Sequence, residues 1–411
     1  MNKIVTSVGL LALGASALHA AESSTLNQYQ DTKAWSVQAT LRGFYDDNVA
    51  GIPGGDESAG FEVSPSVKFG MPGEQTSFNV GYSFSGKFYD KNTAPRDGKS
   101  DYTHTFDADL SHAFSPRFDV ALSEAFVIGQ EPDYIQDPAL PQRIDGDNIR
   151  NFANVDFNLA VTDLLGFGFG YRNGFYDYDD EGGTAAAPSN SGLLDRLEHT
   201  VKFDTRWKLT PQTVGIVGYS YSQINYTGDE PITATEMSDS RDSQGHTIYV
   251  GAQHTFNPSL AGTLLVGGQQ YSYDRVGVDS EFSPYVQGSL TYAIESKTSL
   301  EAGVQYSRSP ANIAGAQDTE TAQIYATLRQ QIASKLIGSL NGTYSDSKYN
   351  GGGVTVDGKH QVYSRLGLDL AYEFTQNLSG HLGYNYDEVD SDLPGRSYDR
   401  NRVYMGVTAG F

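Results

Sequence analysis

The sequence predicts an all-β chain that closes into a transmembrane antiparallel up-and-down β-barrel of about eighteen strands, with sixteen as the alternative count. Three observations carry this: a secretory leader, a glycine- and tyrosine-rich composition without any helical membrane span, and a repeating alternation of very short turns with long polar loops.

The leader comes first. Lys3 is followed by an apolar run from Ile4 to Leu18 broken only by small residues, then by Ala20 and Ala21 before Glu22. That is the pattern of a signal peptide. Cleavage is placed after Ala20 or Ala21, although Leu18 or His19 then stands where a small residue is preferred. The expected organisation is a signal over 1–20, a short linker over 21–33 and a barrel over 34–411. Beyond the leader nothing approaches the roughly 18 to 20 consecutive apolar residues that a membrane helix needs. The chain instead holds 45 Gly, 27 Tyr and 20 Phe with no Cys, a composition suited to alternating membrane strands. Freedom from cysteine also suits an unfolded chain crossing an oxidising periplasm. The formal charge of −22 excludes a nucleic-acid partner, which would require concentrated Lys and Arg.

Short turns are read at Pro72 to Gln75, Ser115 to Arg117, Thr162 to Leu164, Thr210 to Gln212, Asn257 to Ser259, Glu295 to Lys297, Ala333 to Lys335 and Thr375 to Asn377. Between them lie loops rich in Asp, Gly, Pro, Ser and Asn, at 47–59, 91–101, 129–147, 179–193, 227–244, 274–279, 310–318, 349–359 and 389–396. Such an alternation places both termini on the short-turn side, as in single-chain outer-membrane barrels.

The strands must then show the period of two that a wall between lipid and water demands, and several do so cleanly. Phe78, Val80, Tyr82, Phe84 and Phe88 share one face, and Asn79, Ser83, Ser85 and Lys87 the other. Tyr102, Phe106, Ala108, Leu110 and Phe114 oppose Thr103, Thr105, Asp107, Asp109 and Ser111. Leu165, Phe167, Phe169 and Tyr171 oppose Gly166, Gly168, Gly170 and Arg172, while Val362, Leu366, Leu368, Leu370, Tyr372 and Phe374 oppose Gln361, Arg365, Asp369 and Glu373. A soluble β-sandwich would pair a dry inner face with a polar outer one.

Some segments resist. Stretches 213–226 and 260–273 are apolar on both faces in places, and Glu124 falls on the apolar face between Leu122 and Phe126, through a bulge or a shifted register. Pro65 and Pro284 sit inside strands and lack a ladder donor, so each predicts a bulge. Aromatics gather where strands meet long loops, at Phe44-Tyr45, Phe88-Tyr89, Phe175-Tyr176, Tyr271, Tyr273, Tyr344, Tyr384 and Tyr386. They predict an interfacial girdle, although strands favour aromatics in any case.

The last strand ends Tyr404-Met-Gly406-Val-Thr-Ala409-Gly-Phe411, with Val403, Met405, Val407, Ala409 and Phe411 on one face. Tyr404, Gly406, Ala409 and Phe411 fill the places of the assembly signal of outer-membrane barrels, Ala409 being small for its place. Near the other end, Leu41-Arg-Gly-Phe-Tyr45-Asp46-Asp47-Asn48-Val49 followed by Phe61 to Phe69 resembles the opening hairpin of the β-barrel porin 2 family. The resemblance implies an outer-membrane barrel associated with exopolysaccharide production or export. Asp46, Asp47 and Asn48 are compatible with a cation site or with ordinary turn chemistry.

No zinc-hydrolase His-Glu pair, nucleophile elbow, phosphate loop or dinucleotide fingerprint occurs, and no catalytic residue, metal site or cofactor is assigned. The inner-face charges Lys87, Asp107, Asp109, Asp156, Lys202, Asp204, Arg206, Arg329, Arg365 and Asp369 are candidate pore-lining residues, joined on that face by Lys208 and Glu373. Glu131, Asp133, Asp137, Arg143, Asp145 and Asp147, in a loop stiffened by Pro132, Pro138 and Pro141, are candidates for a constriction that favours cations. Expected partners are outer-membrane lipid and lipopolysaccharide, the barrel assembly machinery, and small solutes or a polysaccharide as cargo. The alternatives are a non-conducting structural or surface-binding barrel and, third, an outer-membrane enzyme.

Overall fold

A chain of alternating strands in lipid must satisfy every backbone N–H and C=O from a neighbouring strand, and closure is the arrangement that leaves no edge. The computed structural model describes residues 34–92, 98–129, 147–184, 188–274, 280–294, 297–351 and 356–411, and it shows that arrangement. The strands are β1 (Trp35–Asp46), β2 (Ser58–Pro72), β3 (Thr76–Tyr89), β4 (Ser100–Ser115), β5 (Phe118–Gly129), β6 (Asn148–Ala160), β7 (Leu165–Tyr178), β8 (Arg196–Thr210) and β9 (Thr213–Tyr226). A two-strand ribbon in the next loop supplies β10 (Pro231–Thr233) and β11 (Glu236–Met237). The wall resumes with β12 (Ser243–Asn257), β13 (Leu260–Tyr273), β14 (Glu281–Ile294), β15 (Thr298–Pro310), β16 (Asp318–Ala333), β17 (Leu336–Asn350), β18 (His360–Thr375), β19 (Leu378–Ser391) and β20 (Tyr398–Gly410).

Eighteen of these form one antiparallel sheet, each strand pairing with its sequence neighbours and β1 pairing with β20. At the seam the Phe411 N–H donates to the Val37 carbonyl at 2.9 Å and the Val37 N–H to the Phe411 carbonyl at 3.2 Å. The C-terminal residue therefore closes the ladder.

Large apolar side chains cover the outer face, Phe282 and Met405 being 71% and 70% exposed. In water that would be costly; against hydrocarbon it is the favourable arrangement. Both Pro65 and Pro284 keep their register, opposite Ala39 and Gly268 respectively, so neither makes the predicted bulge. Each lapse in pairing lies on the proline's other flank: β2–β3 pairs resume unshifted from Val63↔Gly86 to Ser66↔Ser83, and β14–β15 pairing begins at Val286. A missing N–H is tolerated by skipping the ladder on one side. Shifts occur instead beside short turns, as between Ala113 and Ser115 or Thr255 and Asn257.

The girdle expectation is half corrected. Tyr45, Tyr344, Tyr384 and Tyr386 face outward, but adjacent residues on a strand point to opposite sides. Tyr89 and Tyr176 accordingly turn inward with Phe44, as do Tyr271 and Tyr273. Tyr89 stacks edge-on against Phe44 at 5.4 Å and donates to Asp101 at 2.8 Å. The doubly apolar stretches are explained by an interior cluster of Ile216, Tyr249 and Leu265, with Tyr285 packed against it.

Candidate functional site

The lumen is the place where polar side chains converge, and the register positions them. Lys87 stands opposite Glu62, Asp107 opposite Gly81, Asp109 opposite Asn79, Asp156 opposite Gly170, and Asp204 opposite Gly218. With Lys202, Arg206, Lys208, Arg329, Arg365, Asp369 and Glu373 these occupy the interior face, alternating with outward residues such as Phe203, Leu328 and Leu368.

They do not form one site. On β8, Asp204 lies 3.5 Å from Lys202 and 3.4 Å from Arg206, and it accepts the Tyr249 hydroxyl. Arg206 donates to Asn158 at 2.7 Å, and Arg172 to Asn154 at 2.8 Å. Around the seam, Asp387 takes Arg402 at 2.6 Å, Arg365 at 3.7 Å and the Tyr363 hydroxyl at 2.9 Å. Asp369 accepts from Tyr404, over whose ring the Arg42 guanidinium sits at 4.8 Å, and Arg42 also donates to Glu62 at 3.0 Å. Asp107 and Asp109, two positions apart on β4, carry no ion pair among the described residues.

Two tyrosines share a construction that alternation alone does not reveal. Tyr249 lies across Gly218 on β9 to reach Asp204 on β8, and Tyr404 lies across Gly383 on β19 to reach Asp369 on β18. A Cβ at Gly218 would overlap the Tyr249 ring, and one at Gly383 would overlap that of Tyr404. Only glycine lets each ring lie flat against the wall and hand its hydroxyl two strands along. Pairs of inward Tyr and inward Gly in cross-strand register are the sequence signal for these contacts. Gly406, in the terminal motif, is likewise crowded, a Cβ there meeting Arg42 and the Leu41 carbonyl at 2.7 Å.

At the long-loop end the loops pack on one another. The 179–195 loop carries a short helix, α1 (Asn190–Leu194), capped by the Ser189 hydroxyl accepting from the Gly192 N–H at 2.9 Å. The Glu230 carboxylate ties the next loop to it, accepting the N–H of Gly182 at 2.7 Å, that of Gly183 at 3.0 Å and the Ser189 hydroxyl. These bonds, Ser189 foremost, hold the Glu230 carboxyl below its usual range. Arg241, 2% exposed at the end of a 3-10 turn (Ser238–Arg241), donates to the carbonyls of Ala311 at 2.9 Å, Gly192 at 3.2 Å and Leu193 at 2.7 Å. Its guanidinium also lies 4.0 Å from the centre of the Tyr226 ring. Ala311, Ile313 and Ala316 of the loop between β15 and β16 form a buried apolar cluster with Tyr349 near the end of β17 and Leu393 in the loop between β19 and β20. Asp195, closing α1, accepts the Tyr178 N–H at 2.8 Å and the Ser191 hydroxyl at 2.5 Å, and burial pushes its carboxyl up to about 6.

The Asp46-Asp47-Asn48 turn is committed to the protein. Asp46 takes Arg400 Nε at 2.9 and 3.0 Å, Asp47 accepts from the backbone and side chain of Asn401 at 2.6 and 2.7 Å, and Asn48 donates to the carbonyls of Ile52 at 2.9 Å and Asp399 at 3.1 Å. Of the expected constriction residues, Glu131, Asp133, Asp137, Arg143 and Asp145 lie outside the described residues, as do the signal and linker. Asp147 is exposed, its carbonyl accepting from the Asp179 N–H at 3.0 Å.

The family model described as "Putative beta-barrel porin 2" matches residues 36–411. No curated protein matches the chain. Among solved structures it is similar to OccAB4 of Acinetobacter baumannii, at 12% identity and a TM-score of 0.45, over 92% of this chain and 99% of that one. It is similar also to the outer membrane protein OpdK of Pseudomonas aeruginosa, at 11% identity and a TM-score of 0.45, over 92% and 99% of the two chains. The siderophore receptor PirA of Pseudomonas aeruginosa follows at 11% identity and a TM-score of 0.42, over 91% and 80%.

Proposed function

The chain belongs to the β-barrel porin 2 family, and from that membership we propose that it forms a water-filled pore across the outer membrane for hydrated, preferentially cationic solutes. The observation that supports the reading is the inner face itself: a closed wall of eighteen strands carrying Lys87, Asp107, Asp109, Asp156, Arg329 and Glu373 inward. Ionised groups in such numbers require water, and a barrel of this size has room for it. The cation preference rests on Asp107 and Asp109, whose charge no cation among the described residues offsets, and on the net charge of −22. The packed long loops narrow the mouth and select what enters.

A second reading, a conduit for an exported polysaccharide, is favoured by the inward, half-buried tyrosines Tyr285 and Tyr325, whose faces suit the apolar faces of sugar rings.

Single-channel conductance of refolded protein in planar bilayers, in graded potassium chloride, tests the pore. Discrete steps with a reversal potential favouring potassium are expected. Absence of steps from heat-modifiable, folded protein removes the open pore and leaves a gated conduit or a structural barrel.

A further inference from the structure

Glu124 faces lipid. It lies midway along β5 on the same face as Leu122 and Phe126, opposite Ala108 on β4 and Ala153 on β6, with neither bulge nor shifted register between. It is exposed, and among the described residues its one hydrogen-bond partner is the Asn151 carboxamide on the same outer face. A carboxylate at the middle of a lipid-facing wall is unfavourable because hydrocarbon offers it no donor. Alanines on both flanks leave the wall low, which lets another surface approach closely.

The same wall carries a matching donor. His199 on β8 faces outward, its Nδ1 bonded to the Tyr171 hydroxyl at 2.8 Å and 3.3 Å from the Asn173 carboxamide nitrogen. A carboxamide nitrogen can only donate, so Nδ1 accepts and the ring proton sits on Nε2, which has no partner among the described residues. His104 and His246 make the same bond to Tyr82 and Tyr219, but they lie one strand and five strands from β5, whereas β8 lies three strands away. With eighteen strands around the barrel, three subtend about 60°. That is the angle between the two neighbours of any subunit in a three-fold ring. Asn151 also draws the Glu124 carboxylate towards the long-loop half of the wall, where His199 lies.

We propose that the chain assembles as a trimer about an axis normal to the membrane, with Glu124 of each copy accepting the His199 Nε2 proton of the next. The interface is heterologous and closes after three copies. Lipid is the competing occupant, and it satisfies neither group.

Absence of native cysteine makes the test clean. Phe126→Cys and Leu197→Cys place thiols two residues towards the long-loop end from Glu124 and His199, on the same outer faces, leaving the proposed pair intact. A short bismaleimide applied to outer membranes should give a covalent ladder ending at three copies from the double variant and none from either single variant. Adding Glu124→Ala should abolish that ladder while the barrel stays heat-modifiable. A dimer from Phe126→Cys alone, a ladder reaching four, a ladder that survives Glu124→Ala, or no ladder from a folded double variant would each overturn the proposal. Native mass spectrometry of the unaltered chain in mild detergent is independent of these variants: three copies support the trimer and one or two refute it.

Discussion

Arg241 donates through Nη1 to the carbonyl of Ala311, seventy residues along the chain, at 2.9 Å. The two residues belong to loops whose hairpins are separated by β13 and β14, and Nη2 of the same side chain holds the carbonyls of Gly192 and Leu193 in a third loop. Hydrogen bonds to a charged group contribute about 1.5–3 kcal/mol apiece, so this one guanidinium is a main tie of the loop layer. Arg241→Met keeps the bulk and removes the donors. The variant should fold to a heat-modifiable barrel, become sensitive to protease in the 179–195 and 227–242 loops, and conduct with larger or noisier steps. Unchanged protease resistance and conductance would show that the apolar cluster around Tyr349 holds the mouth by itself.

Asp195 gives that layer a pH dependence whose sign is fixed. Its carboxyl is raised from 3.8 to about 6, first by burial, so packing the loop favours the protonated form. An acid with a raised value takes up a proton on packing, and the packed loop therefore gains stability as pH falls from about 7 towards 4, with no further change below. Asp242, raised chiefly by burial, acts in the same direction. Glu230, held low, acts in the opposite direction, but only as pH falls towards its unpacked value of 4.5 and below, so between pH 7 and pH 5 the Asp195 effect prevails. Amide hydrogen exchange across 189–195, corrected for intrinsic rates, should be slower at pH 5 than at pH 7, and Asp195→Asn should remove the difference. Faster exchange at pH 5 would reverse the sign and refute the assignment.

The wall is legible in the sequence and the mouth is not, for one physical reason. Side-chain direction on a strand has period two, so Phe78, Val80 and Tyr82 can be assigned outward from sequence alone, and even Glu124 falls on its true face. What defeats local reading is contact between strands or loops far apart in sequence. Nothing around Arg241 marks it as the tie to Ala311, and nothing at Tyr249 names Asp204 until Gly218 is seen to lie between them. The girdle expectation fails where it treats Phe44-Tyr45 and Phe88-Tyr89 as units, because neighbours in a strand cannot share a face. The bulge expected at Pro65 fails because a missing donor can be absorbed by a gap in pairing as well as by a bulge.

Asp46 and Arg400 form a buried pair, 5% and 4% exposed, beside the seam where β1 meets β20. Removing one partner of such a pair costs about 3–5 kcal/mol, because the remaining charge is stranded, whereas replacing both by apolar residues can be nearly neutral. Asp46→Ala should lower the urea concentration at which the barrel unfolds, and the double replacement Asp46→Leu with Arg400→Leu should recover most of the loss. If the single and double variants are equally destabilised, the pair acts through shape and not through charge.

Cation preference should trace to Asp107 and Asp109 in particular. Several interior carboxylates already face a cation: Asp204 has Lys202 and Arg206, and Asp387 has Arg402 and Arg365. Asp107 and Asp109 have none among the described residues, so their field extends into the lumen. A unit charge acting across roughly 8 Å of water is worth about 0.5 kcal/mol, favourable for potassium and unfavourable by the same amount for chloride, so each carboxylate changes their relative occupancy about fivefold. Asp107→Asn with Asp109→Asn should therefore lower the permeability ratio about thirtyfold in dilute salt. The difference should vanish near 1 M, where the screening length falls to about 3 Å. Reversal potentials measured across a salt gradient check both parts. A ratio unmoved in dilute salt would place the selectivity in the loops, and one that persists at high salt would make the effect steric.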